Sequence, residues 1–356
     1  MTYRIILSGG GTVGSVTPLL ALAEEIRSRS IDVEFLFVGT VTGPERVLVE
    51  AANISFIPIS AGKLRRYWSI QNFADLGRLW QGYRQAKKIL RDWRPYVVVS
   101  AGSFVSVPLV WAARQQGIAT LVHQQDIRPG LANRLMAPAA DVLTATFQAS
   151  AEKFRGRKVV VIGNPVRTEI LTGNIEQAKE LFHLTDTKPV LLVLGGGTGS
   201  ERLNTLIGNM AEELARRWSI IHLTGSEREW SRPDFSGYQS HRFLTTELPH
   251  ALAVADVVIS RVGLGALTEL SALSKPTIFI PMPGSHQEDN ATMISQARAG
   301  IVVHQDKEVD TKLKTTLERL LTDMAEREQL GKKLHQFYTP GAVATMADQV
   351  LHLLKP

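Results

Sequence analysis

Short apolar runs and amphipathic stretches alternate along the chain. Runs rich in valine, isoleucine and leucine at about 3–8, 33–38, 55–59, 96–100, 119–123 and 141–146 read as strands. Between them, apolar positions recur at helical spacing over about 18–30, 44–52, 70–92, 105–117, 129–138 and 148–155. This order predicts a parallel sheet with helices on both faces. A second series starts at 189–194 and continues with strands near 219–224, 256–260, 276–280 and 301–303. Its helices are expected near 201–217, 247–254, 264–273 and 288–298, and a last helix over 341–354 follows Pro340-Gly341. The first helix carries its own start signal: Thr17 as cap, Pro18 in the first turn, and an apolar face of Leu19, Leu20, Leu22 and Ala23.

Both series open in the same way. The strand ending at Ser8 runs into Gly9-Gly10-Gly11-Thr12-Val13-Gly14, and the strand ending at Leu194 runs into Gly195-Gly196-Gly197-Thr198-Gly199-Ser200, 186 residues later. Glycines after a buried strand and before a helix let a ligand approach the backbone and aim N–H groups at it, which makes each loop a candidate anion site. A tight strand-to-helix turn needs glycine for steric reasons alone, but the repetition at the head of each series points to two similar domains. The expected class is α/β: two Rossmann-like, doubly wound domains facing across a cleft. Gly163-Asn164-Pro165-Val166-Arg167 reads as the connection between them, so the expected divisions are 1–163, 164–340 and the closing helix 341–356. A chain of 356 residues suits two domains of ~150–180 residues.

Composition narrows the functional classes. Apolar content of 44% and charged content of 21% are those of a globular protein, and no apolar run reaches the ~18–20 residues that span a bilayer. The first residues lack a signal-peptide layout, so the expected compartment is the cytoplasm. The absence of cysteine excludes disulfides, thiolate catalysis and cysteine-based zinc sites. There is no Asp-x-Asp pair and no Walker-type loop, so a departing diphosphate would be stabilised by helix N-termini and arginines rather than by a metal.

Polar clusters stand where strands give way to helices: Ser100-Ala-Gly-Ser-Phe-Val-Ser-Val-Pro108, His123-Gln-Gln-Asp126 and Ser260-Arg-Val-Gly-Leu-Gly-Ala-Leu-Thr-Glu269. Ligands of doubly wound sheets bind at such ends. A helix opening at about 264 aims N–H groups at a phosphate, while Glu269, one turn in, can hold a ribose diol; an exposed helical glutamate is the competing reading. The stretch Pro281-Met-Pro-Gly-Ser-His286-Gln287-Glu-Asp-Asn290-Ala291 offers imidazole and amide groups to sugar hydroxyls, or is an ordinary surface loop.

Charge is concentrated in one place. Residues 63–94 carry nine basic and two acidic side chains, a net of +7 against +6 for the whole chain. The same segment holds Tyr67, Trp68, Phe73, Trp80, Tyr83 and Trp93. On a helical wheel Leu79, Ala86, Leu90 and Trp93 form one apolar arc, which Phe73, Leu76 and Trp80 widen toward Arg84, Lys87 and Arg91. That exceeds the ~100° stripe of a core-facing helix. The excess suits an anionic membrane surface. A core helix with a solvated face is the alternative; no nucleic-acid module is visible, and no nucleic-acid partner is expected.

Taken in order, several of these segments resemble the MurG family: Gly10-Gly-Thr-Val-Gly-Ser-Val-Thr-Pro18, Gly62-Lys-Leu-Arg-Arg-Tyr67, His123 to Asn133, Gly163 to Arg167, the second glycine loop with Asn204, Ser260 to Glu269, and His286-Gln287 with Asn290-Ala291. That family adds N-acetylglucosamine from UDP-N-acetylglucosamine to lipid I, the undecaprenyl-diphospho-muramoyl-pentapeptide, to make lipid II. The resemblance implies a two-domain GT-B architecture, metal-independent inversion, no cofactor, and a peripheral position on the cytoplasmic face of the cell membrane. It also implies roles. Glu269 would hold the ribose, the backbone near Leu244 the uracil, and Leu264, Gly265, Ala266, Leu267 and Thr268 with Gly197 and Thr198 the diphosphate. Arg261 would also contact the donor, and His286 and Gln287 its sugar. Thr12, Val13, Gly14, Asp126, Asn133 and Arg167 would line the cleft from the N-terminal side and the linker.

Five positions depart from the family pattern. Val13 replaces a glycine, Ser15 a histidine and Phe104 an aromatic hydroxyl, and the usual His-Glu-Gln-Asn reads His123-Gln124-Gln125-Asp126. Ser15 stands at the family's catalytic position but cannot take up a proton near neutral pH; Asp126, a carboxylate where relatives carry asparagine, is the candidate base, with His123 and His286 next in line. Two rival readings stay open: a UDP-sugar epimerase of similar fold, and a relative that binds lipid or nucleotide without turnover.

Overall fold

Buried β-branched runs assemble into two parallel sheets. A computed structural model describes residues 2–62, 71–185, 188–225 and 235–354, without the side chains of 71–76. The first sheet contains β1 (Tyr3–Ser8), β2 (Val33–Gly39), β3 (Ser55–Pro58), β4 (Val97–Ser100), β5 (Ala119–Gln124), β6 (Val142–Ala145) and β7 (Val159–Val161). Their order is β3-β2-β1-β4-β5-β6-β7. The second contains β8 (Val190–Leu194), β9 (Ser219–Leu223), β10 (Tyr238–His241), β11 (Val257–Ser260), β12 (Thr277–Phe279) and β13 (Ile301–Val302), ordered β10-β9-β8-β11-β12-β13. All the pairings are parallel, and in both sheets the order reverses beside the first strand, the one that carries the glycine loop. Both sheets are therefore doubly wound and Rossmann-like.

The chain divides into two compact units, 1–167 with 340–356 and 168–339. The first boundary lies four residues beyond the expected 163/164, and the reason is local. Asn164 is buried with its Oδ1 3.2 Å from His123 Nε2, and Pro165, Val166 and Arg167 are buried as well, so the connecting segment belongs to the first unit. The closing helix Ala342–Leu353 returns to the first unit. There Arg29 pairs with Asp348 at 2.5 Å and donates to Ala344 O at 3.1 Å.

Several elements differ from the sequence reading. Thr17 is the first residue of its helix rather than its cap: a short turn, Val13–Ser15, runs directly into Thr17–Ser28, and Val16 precedes it with no side-chain cap. Strands β7 and β10 and the helices Ile175–Leu181, Val309–Thr322 and Met324–His335 were not anticipated. The expected helix over 148–155 forms only across Gln148–Ala151.

Each unit encloses a histidine with both ring nitrogens engaged. His123 on β5 donates from Nε2 to Asn164 Oδ1 and accepts at Nδ1 from the Thr144 hydroxyl, 2.9 Å away. His222 on β9 donates from Nε2 to Asn204 Oδ1 at 3.2 Å and accepts at Nδ1 from the Tyr238 hydroxyl at 2.7 Å. Burial pushes the pKa of His123 down to about 4, against the opposing hydrogen bond to Asn164, and burial alone pushes that of His222 down to about 3. Both rings are neutral. Between an unfolded pKa near 6.5 and these folded values, the unfolded chain binds more protons, so stability is complete above pH 6.5 and is lost as pH falls. For His123 the loss amounts to roughly 3 kcal/mol by pH 4. Urea midpoints followed by circular dichroism should therefore fall steeply between pH 6.5 and pH 4.5, and His123→Gln should flatten that slope.

Candidate functional site

The carboxyl ends of β8, β11 and β12 gather most of the donor-side candidates within the second unit. Ser200 caps the helix Glu201–Ala215 by accepting from Leu203 N, which closes the second glycine loop. Gly199 and Gly225 pack backbone to backbone there, and a Cβ on either would collide with the other's neighbourhood. Gly263 precedes the helix Leu264–Ala272, whose first internal backbone bond runs from Leu267 N to Gly263 O. The N–H groups of Leu264, Gly265 and Ala266 therefore lack partners within the helix. The side chains of Leu264 and Leu267 are buried in the core, and the Thr268 hydroxyl donates to Leu264 O at 2.6 Å. This stretch can hold an anion through its backbone alone. Glu269 is half-buried on the same helix, one turn in.

Arg261 ties these loops together. Its guanidinium donates to Ile280 O at 2.9 Å, to Pro281 O at 3.2 Å and to the Ser200 hydroxyl. Gln305, with its amide oxygen turned inward, accepts at 3.0 and 3.3 Å. No carboxylate is among these partners, and Nε is buried without any. Burial, with nearby Arg202, lowers the pKa to about 10, so the group stays charged. Arg261 thus acts as a buried cation behind the loops rather than as an exposed contact. Asn290 donates to Val262 O at 3.0 Å and anchors the next loop. In that loop His286 is exposed at the start of the helix Gln287–Gln296, and Gln287 Oε1 accepts from Met282 N at 3.0 Å. Leu244 is buried just after β10. Gly197 and Thr198 lie half-buried in the second glycine loop.

The first unit treats its glycine loop differently. Gly10 N donates to Ser15 Oγ at 3.0 Å and Gly11 N to Glu45 Oε2 at 3.1 Å. Two of the N–H groups expected to meet an anion are therefore already taken, so at Gly10 and Gly11 this loop is not the open anion site its sequence suggests. Ser15 is buried, and its hydroxyl also lies within reach of Gly10 O and Thr12 O, so it closes the loop. Thr12 is exposed, while Val13 and Gly14 are half-buried. Glu45 escaped the sequence reading, although an acid opening a helix directly after Gly39-Thr40 and Gly43-Pro44 was a visible signal.

Asn133 and Asp126 are brought together at the end of β5 through Gln124. Asn133 donates to His123 O at 3.1 Å and to Gln124 Oε1 at 2.7 Å, and its Oδ1 is buried without a partner. Gln124 in turn donates to Asp126 O at 2.6 Å, which a glutamate at this position could do only when protonated. Ser150 donates to the same carbonyl at 3.1 Å. Asp126 is half-buried, and Arg167 is buried at the end of the unit. Phe104 follows Ser103, whose φ of 90° is a strained value of the kind that concentrates at functional loops.

On the helix Gln71–Trp93, Ala86 and Leu90 are buried while Trp80 is 62% exposed. Arg84 stacks over the Trp80 ring at 4.8 Å and Lys87 lies 5.8 Å from the Tyr83 ring centroid. Arg84, Gln85, Lys88, Arg91 and Asp92 line a cavity of about 520 Å³. The side chains of Phe73 and Leu76, and all of residues 63–70, lie outside the described residues. Among the described residues no helix is long and apolar enough to cross a membrane.

Residues 5–144 match the glycosyltransferase family 28 N-terminal domain and residues 190–344 its C-terminal domain. A Lachnoclostridium phytofermentans protein named UDP-N-acetylglucosamine–N-acetylmuramyl-(pentapeptide) pyrophosphoryl-undecaprenol N-acetylglucosamine transferase is 41% identical over 282 residues, 78% of each chain. A Clostridium kluyveri protein of the same name is 36% identical over 358 residues, 99% of each chain. The crystal structure of Acinetobacter baumannii MurG superposes with a TM-score of 0.70 at 22% identity, covering 98% of this chain and 99% of that one, which shows the shared fold. The chain belongs to the MurG family of glycosyltransferases.

Proposed function

We propose that the chain transfers N-acetylglucosamine from UDP-N-acetylglucosamine to lipid I, forming lipid II, with inversion at the anomeric carbon and without a metal or cofactor. The observation that carries this reading is the kinship with named transferases over essentially the whole chain. The epimerase alternative has less support, since the relatives at 36–41% identity bear the transferase name.

In this reading the second unit binds the donor. The open N–H groups at Leu264, Gly265 and Ala266 take the diphosphate, with Gly197 and Thr198 beside them, and the buried charge of Arg261 adds to the favourable potential. Leu244 borders the uracil, and His286 and Gln287 meet the sugar. Glu269 accepts from the ribose hydroxyls through charge-assisted bonds of roughly 1.5–3 kcal/mol each. Glu269→Ala should raise the UDP dissociation constant about tenfold or more in calorimetry, with the thermal transition unchanged.

The first unit presents the acceptor, with Thr12, Val13, Gly14, Asn133 and Arg167 on its side. Asp126 takes the proton of the attacking hydroxyl, because Ser15 is closed into its loop. With labelled UDP-N-acetylglucosamine and a short-chain lipid I analogue, the protein should yield a disaccharide lipid. Asp126→Asn should slow that turnover about 10²-fold or more while leaving UDP affinity in place. Wild-type turnover in Asp126→Asn would move the base elsewhere, to exposed His286 before His123, whose two buried ring nitrogens are already engaged by Thr144 and Asn164.

The helix Gln71–Trp93 rests the protein peripherally on the anionic, cytoplasmic face of the membrane. Exposed Trp80 with Arg84 and Lys87 supports this, each basic group contributing about 1 kcal/mol near an anionic surface. Sedimentation with anionic vesicles should weaken as salt rises and disappear in the double variant Trp80→Ala, Arg84→Glu.

A further inference from the structure

A carboxylate stripped of water has to find donors or a cation. Glu45 is fully buried, and the partners it finds are not cations. Its Oε2 accepts from Gly11 N at 3.1 Å and its Oε1 from Thr40 N at 2.7 Å, while the Thr40 hydroxyl donates to the same Oε1. The chain leaves room for this group. A Cβ on Gly10 or Gly43 would collide with its oxygens, and one on Gly39 would come within 3.2 Å. Gly10 and Gly11, with φ of 147° and 76°, also adopt backbone angles that side chains disfavour, so the loop is bent around the carboxylate.

We propose that Glu45 is the positioning residue of the first glycine loop: a built-in anion that occupies the N–H group a phosphate would otherwise engage, and fixes residues 9–15 to receive hydroxyl groups of the acceptor instead of its diphosphate. The second half of the proposal rests on the transferase reading. A second anion brought to this loop would meet a like charge and find the donors of Gly10 and Gly11 already satisfied, by Ser15 and Glu45. Exposed Thr12, in contrast, offers a hydroxyl that can both donate and accept.

The test compares wild type, Glu45→Gln and Glu45→Ala in the full chain. Glutamine fills the same space but can accept through one atom only, whereas alanine vacates the carboxylate position. Amide exchange across residues 9–16 should accelerate about tenfold or more in both variants, with the helix Thr17–Ser28 and the second unit unchanged. Turnover should fall about tenfold or more while UDP affinity stays within about twofold of wild type. Added formate should slow the loop's exchange again in Glu45→Ala and leave Glu45→Gln unaltered. Inorganic pyrophosphate should protect the loop in Glu45→Ala and have no effect on it in wild type. Unchanged loop exchange in both variants would overturn the proposal, and so would acceleration spread over the whole first unit, which would make Glu45 an ordinary residue of the core. Pyrophosphate protection of the wild-type loop would overturn the exclusion of the diphosphate. Should the wild type transfer no sugar to the lipid I analogue, the transferase reading falls, while the exchange and formate results still decide whether Glu45 holds the loop.

Discussion

A charge buried at the carboxyl edge of a parallel sheet has to be answered by the chain itself, and the two units answer it with opposite signs. In the first, the carboxylate of Glu45 draws in the N–H groups of Gly11 and Thr40. In the second, the guanidinium of Arg261 draws in the carbonyls of Ile280 and Pro281 and the hydroxyl of Ser200. The consequence for ligands follows from which groups are used up. A carboxylate consumes donors, so the first glycine loop is left with fewer for an anion. A guanidinium consumes acceptors and leaves the N–H groups opening Leu264–Ala272 available. Two loops of nearly the same sequence thereby acquire different electrostatic preferences from residues outside them.

That difference marks the limit of what the sequence discloses. The alternation of elements, the doubly wound class and the placing of Glu269 on a helix that opens at Leu264 could all be read from apolar spacing and glycines, because each depends on local pattern. What escaped depends on partners distant in sequence. Strand β10, Tyr238-Gln-Ser-His241, has a single apolar residue and owes its form to backbone pairing with β9. Arg261 looks like a ligand contact in sequence, and only the packing shows it buried against three loops. The connection around Asn164 has the glycine and proline of a linker, yet it is drawn into the first unit, where residues 164–167 are buried and Asn164 hydrogen-bonds a buried histidine.

The buried histidines carry the same lesson into proton chemistry. His123 stands in the motif nearest the candidate base, and its residue type invites a catalytic role. Its environment removes that role: Asn164 fixes the proton on Nε2, Thr144 fills Nδ1, and burial holds the ring neutral. His222 repeats the arrangement with Asn204 and Tyr238. In both units an imidazole serves as a neutral bridge, donating to an amide and accepting from a hydroxyl.

The departures at positions 15, 124 and 126 fall in two places, the loop after β1 and the end of β5, and each has its own hydrogen bonds. Ser15 is small enough to close inside its loop and accept from Gly10, which removes a titratable ring from that position. Gln124 accepts from Asn133 and donates to the backbone of Asp126, so a neutral amide holds Asn133 to the strand end, where the family's glutamate would bring a charge. With no acidic side chain at 124, a carboxylate at 126 meets no like charge from that neighbour, and the negative charge of the motif moves by two residues instead of doubling. A serine closed into its loop at 15 and a carboxylate at 126 are thus each compatible with the hydrogen bonds around them, the carboxylate standing beside an asparagine whose buried Oδ1 still has room for one more donor.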